Sequence, residues 1–501
     1  MTTALTAALL ASALATAPEA PKPGTSLTVY SSADPAGFDP QRYVQQQRTS
    51  GMDDPWGVPG FGVVKTIRPV QIPAGTGTLA FTDVAAWIDP TTVSFVDLED
   101  PSTTVLEQSF QFDLVSPSKL MGKYLGQQVT VTSAVGKDPV MMTGTLLSAT
   151  QGKLVLARAE GVSVVPMDTA HVQLGSLPGG LLTKPTLVWT VAGKAAATHL
   201  ARTTYQTSGM TWRADYNLVL DGADASADMT AWVTLLNLSG ASYPDAELKL
   251  VAGNVQRIQH ALMRNPRGMP VEALAMADGA AFEEKEFFEY HLYTLPRRTT
   301  VEQNSTQQIA LFPPVSGIAV TKELVVDLSN SMGTPPAPIT ERDIGNAREG
   351  RPSVFVSFRN AEDNRMGMPL PAGKVRVYKM DPDDGTLEFV GEDLINHTPR
   401  NETVKVRLGE AFDVVAERTR TDFSADRAAR KMSETFRLEV RNRKQRAERI
   451  RVIDRPFRWT TWDVAANSHP FTKVDAGTIA FDLDVPADGT TTVTWTFTYT
   501  W

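Results

Sequence analysis

The chain has 501 residues, of which 42% are hydrophobic and 21% charged, and its formal charge is −8. At roughly 150 residues per domain that is about three folded units. The balance excludes a wholly disordered chain, and the acidic total excludes a whole-molecule electrostatic grip on nucleic acid. Cysteine is absent, which excludes disulfides, thiolate metal sites and a cysteine nucleophile.

Residues 1–17 are Ala, Leu and Thr with one serine, Ser12, behind Met1, without charge. The apolar run Ala4–Leu14 and the small-x-small Ala13-Leu14-Ala15 predict a signal peptide and hence export, although no Lys or Arg follows Met1. Pro18, Pro21 and Pro23 then rule out helix and predict a tether. No later run of eighteen apolar residues predicts a membrane-spanning helix.

Beyond the leader the dominant period is two, the signature of half-buried strands. Region 18–115 opens with the strand Leu27–Tyr30. It continues through a Pro/Gly/Gln-rich stretch, 31–60, that predicts an inserted surface loop, and then resumes as strands. Gly57–Gly62 lacks the preceding strand and following helix of a phosphate loop. Region 116–176 begins with a short helix, capped by Ser116 and ended by Gly126. Four or five short strands follow, which predicts a small SH3-like barrel. Region 177–317 returns to longer strands, interrupted by an Ala-, Met- and acid-rich stretch, 263–289, that predicts a mobile or weakly helical excursion. Region 318–501 predicts a second sandwich. Its last strand sets Val493, Trp495, Phe497, Tyr499 and Trp501 against threonines. The expected fold is all-β and mainly antiparallel, with Ig-like sandwiches, the small barrel and few short helices.

Several long segments resemble one family, catalogued as domain of unknown function 4139. They include YQTSGMTWRADYNLVL (Tyr205–Leu220), TAWVTLLNLSGASYPDAELKLVAGNV (Thr230–Val255), Glu289–Phe312 and GMPLPAGKVRVYK (Gly367–Lys379). Phe389–Phe423 and EVRNRKQRAERIRVIDR (Glu439–Arg455) complete the match. The resemblance covers nearly all of the chain after the leader. It implies exported bacterial β-rich proteins with Ig-like sandwiches, and it brings no settled activity, cofactor or catalytic residues.

No G-x-S-x-G, HExxH or Walker motif occurs. The sharpest polar cluster is Glu392, Asp393 and His397. Two carboxylates four and five residues before an imidazole could hold a divalent metal or orient a general base. The structural alternative is a crossover whose polar groups satisfy neighbouring backbone. His291 alternates with Tyr290 and Leu292 and is expected to be a half-buried strand imidazole, whereas His171, His199, His260 and His469 stand isolated. Asp381–Gly385 has the carboxylates of a calcium loop but not its spacing, and reads as a turn.

From Arg437 to Arg458, eight arginines and one lysine oppose three carboxylates. Arg437, Arg441, Arg449 and Arg451 are thus candidates for an anionic-polymer surface. The alternative is the solvated face of a hairpin turning at Asn442–Gln445. Tryptophans could line a glycan site, but those at alternating strand positions fit a core. The expected protein is a non-catalytic exported component of the cell envelope with a binding or structural role. It would need no cofactor, and its partner would be an envelope polymer or protein rather than nucleic acid. The rival expectation is a hydrolase of envelope polymers using Glu392, Asp393 and His397.

Overall fold

The computed structural model describes residues 21–31, 36–43, 45, 57–111, 117–133, 139–175, 183–253, 255, 282–287, 290–329, 335–381 and 383–501. The leader 1–17 and most of 263–289 lie outside them. Side-chain alternation resolves into several mainly antiparallel sheets. The C-terminal part shows the plan most simply. One sheet runs in the order Thr403–Glu410, Ser353–Arg359, Thr321–Asp327, Glu448–Asp454, Thr478–Val485 and Thr472–Asp475. The facing sheet runs Ala347–Gly350, Val414–Asp426, Lys431–Asn442, Thr490–Thr500 and Trp462–Asn467. Ile450, Val452 and Phe481 of the first meet Phe436, Trp495 and Phe497 of the second in one core. The Phe481 and Trp495 rings lie 5.2 Å apart. Burial of each such side chain stabilises by about 2–3 kcal/mol.

The same plan occurs earlier in the chain. Tyr290–Thr294, Tyr243–Ala252, Gly24–Tyr30, Phe61–Ile72 and Ala197–Thr207 are neighbours in one sheet. Met210–Leu220, Ser226–Asn237 and Ser305–Ala319 are neighbours in another. Gly24–Tyr30 lies parallel to Tyr243–Ala252, as Thr321–Asp327 lies parallel to Glu448–Asp454. The corresponding remaining pairs are antiparallel in both. Even the register agrees: Met210 faces Asn237, and Val414 faces Asn442. The chain therefore builds one sandwich topology twice.

Each copy carries an insertion between its second and third strands in chain order. In the first, residues 73–196 add further strands. Thr186–Gly193 pairs with Gly75–Thr82 and Thr104–Gln111. A separate five-stranded antiparallel sheet runs Ala170–Gln173, Gln128–Ser133, Val140–Thr150, Lys153–Arg158 and Gly161–Pro166. The expected helix precedes that sheet at Pro117–Lys123, burying Met121, and Gly126 takes a left-handed φ of 78°. In the second, residues 360–402 project an arm, Gly373–Met380 with Leu387–Ile395. Gly373–Met380 pairs in parallel with Met210–Leu220 of the first sandwich.

The arm locks the two sandwiches together. Tyr216 Oη donates to Pro371 O at 2.8 Å and Tyr293 Oη to Pro369 O at 2.9 Å, both from buried positions. Gly373 lies against the Ala214 carbonyl so closely that a Cβ there would sit 2.1 Å from the oxygen. The motif Gly367–Lys379 is thus the plug that seats one sandwich on the other.

Three expectations need correction. Regions 18–115 and 177–317 are not separate in their sheets, because strands of 18–115 pair with strands of 186–252, and the division at 318 is crossed where the arm pairs with Met210–Leu220. Pairing in a sheet is non-local, and chain order alone does not reveal it. The end of the 263–289 excursion is a strand, Glu283–Phe287, at a sheet edge. Within the predicted surface loop 31–60, Phe38 and Tyr43 are buried against Leu236 and Leu238. Arg213 Nη1 donates to Phe38 O at 2.6 Å.

Candidate functional site

The strand Leu387–Ile395 sets Glu392 directly opposite Arg376, and alternation turns the adjacent Asp393 to the other face. Glu392 takes Lys374 Nζ at 3.2 Å and lies 3.5 Å from Arg376 Nε. Asp393 Oδ2 accepts the Arg407 amide at 2.7 Å, while Oδ1 accepts its neighbour Leu394. His397 Nδ1 accepts the Ala372 amide at 3.0 Å. A ring nitrogen that accepts is unprotonated, so this imidazole is neutral with its proton on Nε2. Partial desolvation and the charge of His291 hold it below the usual imidazole range. Glu392 and His397 thus tie parts of the arm to each other, Asp393 ties it to Thr403–Glu410, and the three side chains do not converge. Among the described residues no group of three or more His, Asp or Glu side chains could hold a metal ion. Asp381–Gly385 forms the expected turn, with Gly385 N donating to Asp381 O at 2.9 Å.

The basic stretch is not one surface. Lys431–Asn442 and Glu448–Asp454 belong to facing sheets and do not pair. The expected hairpin is therefore an arch from one layer to the other. Buried Asn442 makes the corner, its Nδ2 donating to Arg446, Val485 and Pro486 carbonyls at 2.8, 3.3 and 3.0 Å. Arg437 and Arg441 consequently face away from one layer, and Arg449 and Arg451 from the other. All four have carboxylate neighbours: Arg437 Glu439 at 3.2 Å, Arg441 Glu417 at 3.0 Å, and Arg449 and Arg451 Asp482 at 4.0 and 3.6 Å. Trp189, Trp212 and Trp495 are fully buried and build core rather than a glycan platform.

Sequence reasoning missed the strongest polar constellations. In the C-terminal core Arg458 Nε donates to Glu434 Oε2 at 2.6 Å, and Tyr499 Oη donates to Glu434 Oε1 at 2.8 Å. The Arg458 guanidinium also holds the carbonyls of Ile339, Glu341 and Ile344, which straps that segment across the sandwich. Beside them Arg418 donates to Asp454 at 2.5 Å, both almost fully buried. Burial pushes Asp454 up to about 7 against the pull of Arg418. Arg418 Nε and Nη2 and Asp454 Oδ2 have no partner among the described residues. The signal was present. Arg418, Glu434 and Asp454 stand at the inward parity of Ala416, Phe436 and Val452.

His199 is the other missed residue. Its Nδ1 lies 2.7 Å from Asp97 Oδ2, and Asp97 also accepts Thr103 Oγ1 and the Glu99 and Asp100 amides. Burial works to raise Asp97, but these donors hold it below the ordinary carboxylate range. Its hydrogen bond in turn raises His199. An imidazole held by a carboxylate is the supporting half of a hydrolytic triad, but this carboxylate is the capping group of the Asp97–Thr103 turn. No family model matches the chain, and no curated protein matches it.

Proposed function

We propose that the chain is a non-catalytic component of the bacterial cell envelope, exported, with a binding or structural role. The proposal includes its kinship with the domain of unknown function 4139 family and the Ig-like and SH3-like character of its units. The observation that carries it is the use of Glu392 and His397 in ties within the arm and of Asp393 in a tie to Arg407, which leaves the hydrolase reading without a convergent site. The duplicated sandwich supports it too, since stacked β layers supply stability and free their rims and edges for recognition. The test is fractionation of the source cells combined with complementation by Glu392→Gln, which loses only the partly exposed ion contacts with Lys374 and Arg376. Recovery of the chain in the envelope, with full complementation by the folded variant, is the expected result. A cytoplasmic chain, or a folded variant without function, contradicts the proposal.

A further inference from the structure

Segment 335–346 crosses the C-terminal sandwich without joining its sheets. Among the described residues its backbone shares two hydrogen bonds with other main chain, Ile339 N to Arg458 O at 3.0 Å and Arg420 N to Asn346 O at 2.7 Å. Arginines that grip its carbonyls do most of the holding. Arg458 donates to Ile339 and Glu341 at 2.9 Å and to Ile344 at 2.8 Å. Arg420 donates to Ile344 at 2.9 Å and also to the Arg342 carbonyl. Side-chain contacts are fewer: Thr340 with Arg427 and Asn346 with Arg420. Ile339 and Ile344 pack partly on the core, whereas Glu341, Arg342 and Asp343 between them are exposed. The segment is thus bound by its main chain and two apolar anchors.

The groups that receive it are fixed by partners other than the segment itself. Glu434 holds Arg458 Nε and Tyr499 holds Glu434. The Arg458 guanidinium also lies 4.4 and 5.0 Å from the Phe423 and Phe457 ring centres. A guanidinium stacked and ion-paired in this way keeps its two Nη groups in place whether or not a carbonyl meets them. Such preorganisation favours binding. A loop that only closes a core is seated at less cost on apolar side chains, since burying charge is unfavourable. Charged groups also regain hydration when uncovered, so a contact of this kind can open in water.

We propose that this seat is a peptide-binding site and that segment 335–346 is its occupant in cis. A peptide segment of a partner protein, presenting carbonyls between two branched apolar residues, displaces it. Main-chain hydrogen bonds then give affinity and the two apolar seats give selectivity. The matching strand of the first sandwich, Met210–Leu220, already takes a segment from a different unit, Gly373–Met380. The proposal goes beyond the envelope role, because the seat does not depend on where the chain resides.

The probe is a capped synthetic peptide of residues 335–347. Because the chain has no cysteine, Arg342→Cys in the full chain takes a single environment-sensitive dye while keeping the carbonyl that Arg420 uses. Tethering gives the cis occupant a millimolar effective concentration, so the peptide should shift the dye emission with a midpoint of roughly 1 mM. Adding Ile339→Gly/Ile344→Gly loosens the occupant but leaves Arg458, Glu434 and Tyr499 intact, and should lower that midpoint about tenfold or more. Alanines in place of Glu341, Arg342 and Asp343 in the peptide should leave its affinity nearly unchanged, whereas aspartates in place of both isoleucines should abolish binding. Emission unmoved by peptide in both chains, equal midpoints in the two, or failure of the alanine peptide to bind overturns the proposal. So does unfolding of the loosened variant, since the seat would then depend on the segment.

Discussion

Asn237 and Asn442 occupy the same corner of the two sandwiches. Each ends its strand fully buried, and each Nδ2 donates to three carbonyls across the turn to the facing sheet. Each Oδ1 also accepts an amide two residues on, that of Ser239 or Lys444. A β-arch breaks the ladder and strands carbonyls inside, and one primary amide answers several at once.

Asn237→Ala and Asn442→Ala should therefore each cost about 3 kcal/mol, the scale of orphaning buried carbonyls. Urea denaturation monitored by tryptophan fluorescence checks this. A loss below about 1 kcal/mol at both corners contradicts the shared role.

The arm's seat makes a second prediction. Gly373→Ala places a Cβ against the Ala214 carbonyl and should cost about 3 kcal/mol by overpacking. Gly385→Ala, at a φ of 75° with open space around it, should cost about 1 kcal/mol from backbone strain alone. Thermal melts of the two variants should rank in that order.

Two histidines should respond to pH with opposite sign. The folded state raises His199 above 6.5, so its contribution is complete below the unfolded value and is lost as pH rises through the folded one. It lowers His397, whose contribution is complete above 6.5 and is lost as pH falls through the unfolded value toward the folded one. Melting curves between pH 5 and 8 (roughly the imidazole range) should show His199→Ala costing most in acid and His397→Ala costing most in base. The same sign for both would contradict the assignments.

The buried pair in the C-terminal core gives a fourth. Arg418→Met leaves Asp454 buried without its cation and should cost about 3–5 kcal/mol, whereas Arg418→Met/Asp454→Leu should recover most of that. The Asp454 carboxyl rises from 3.8 to about 7 on folding. Between those values the folded state holds a proton that the unfolded state lacks, so stability falls as pH rises through the window. Asp454→Asn should flatten that slope in denaturant titrations.

Alternation was enough to read individual strands. Val493, Trp495, Phe497 and Tyr499 are all buried as their parity requires. Parity could not distinguish the arch at Asn442 from a hairpin, because side chains alternate identically in both. The strand Glu283–Phe287 was illegible for a different reason: Glu and Lys are poor strand formers, tolerated here because the strand lies at a sheet edge. Glu392, Asp393 and His397 were legible as a polar cluster. Their separation was not, since it follows from Glu392 and Asp393 lying on opposite faces of one strand and from partners at Ala372 and Arg407 that chain order does not reveal.

The central claim is that these polar residues hold the arm instead of performing chemistry, and amide hydrogen exchange tests it most directly. The account predicts slow exchange of the Ala372 and Arg407 amides in the wild type. Protection at Ala372 should be lost in His397→Ala, and protection at Arg407 in Asp393→Ala. Fast exchange of both amides in the wild type, or protection unchanged by either substitution, would contradict it.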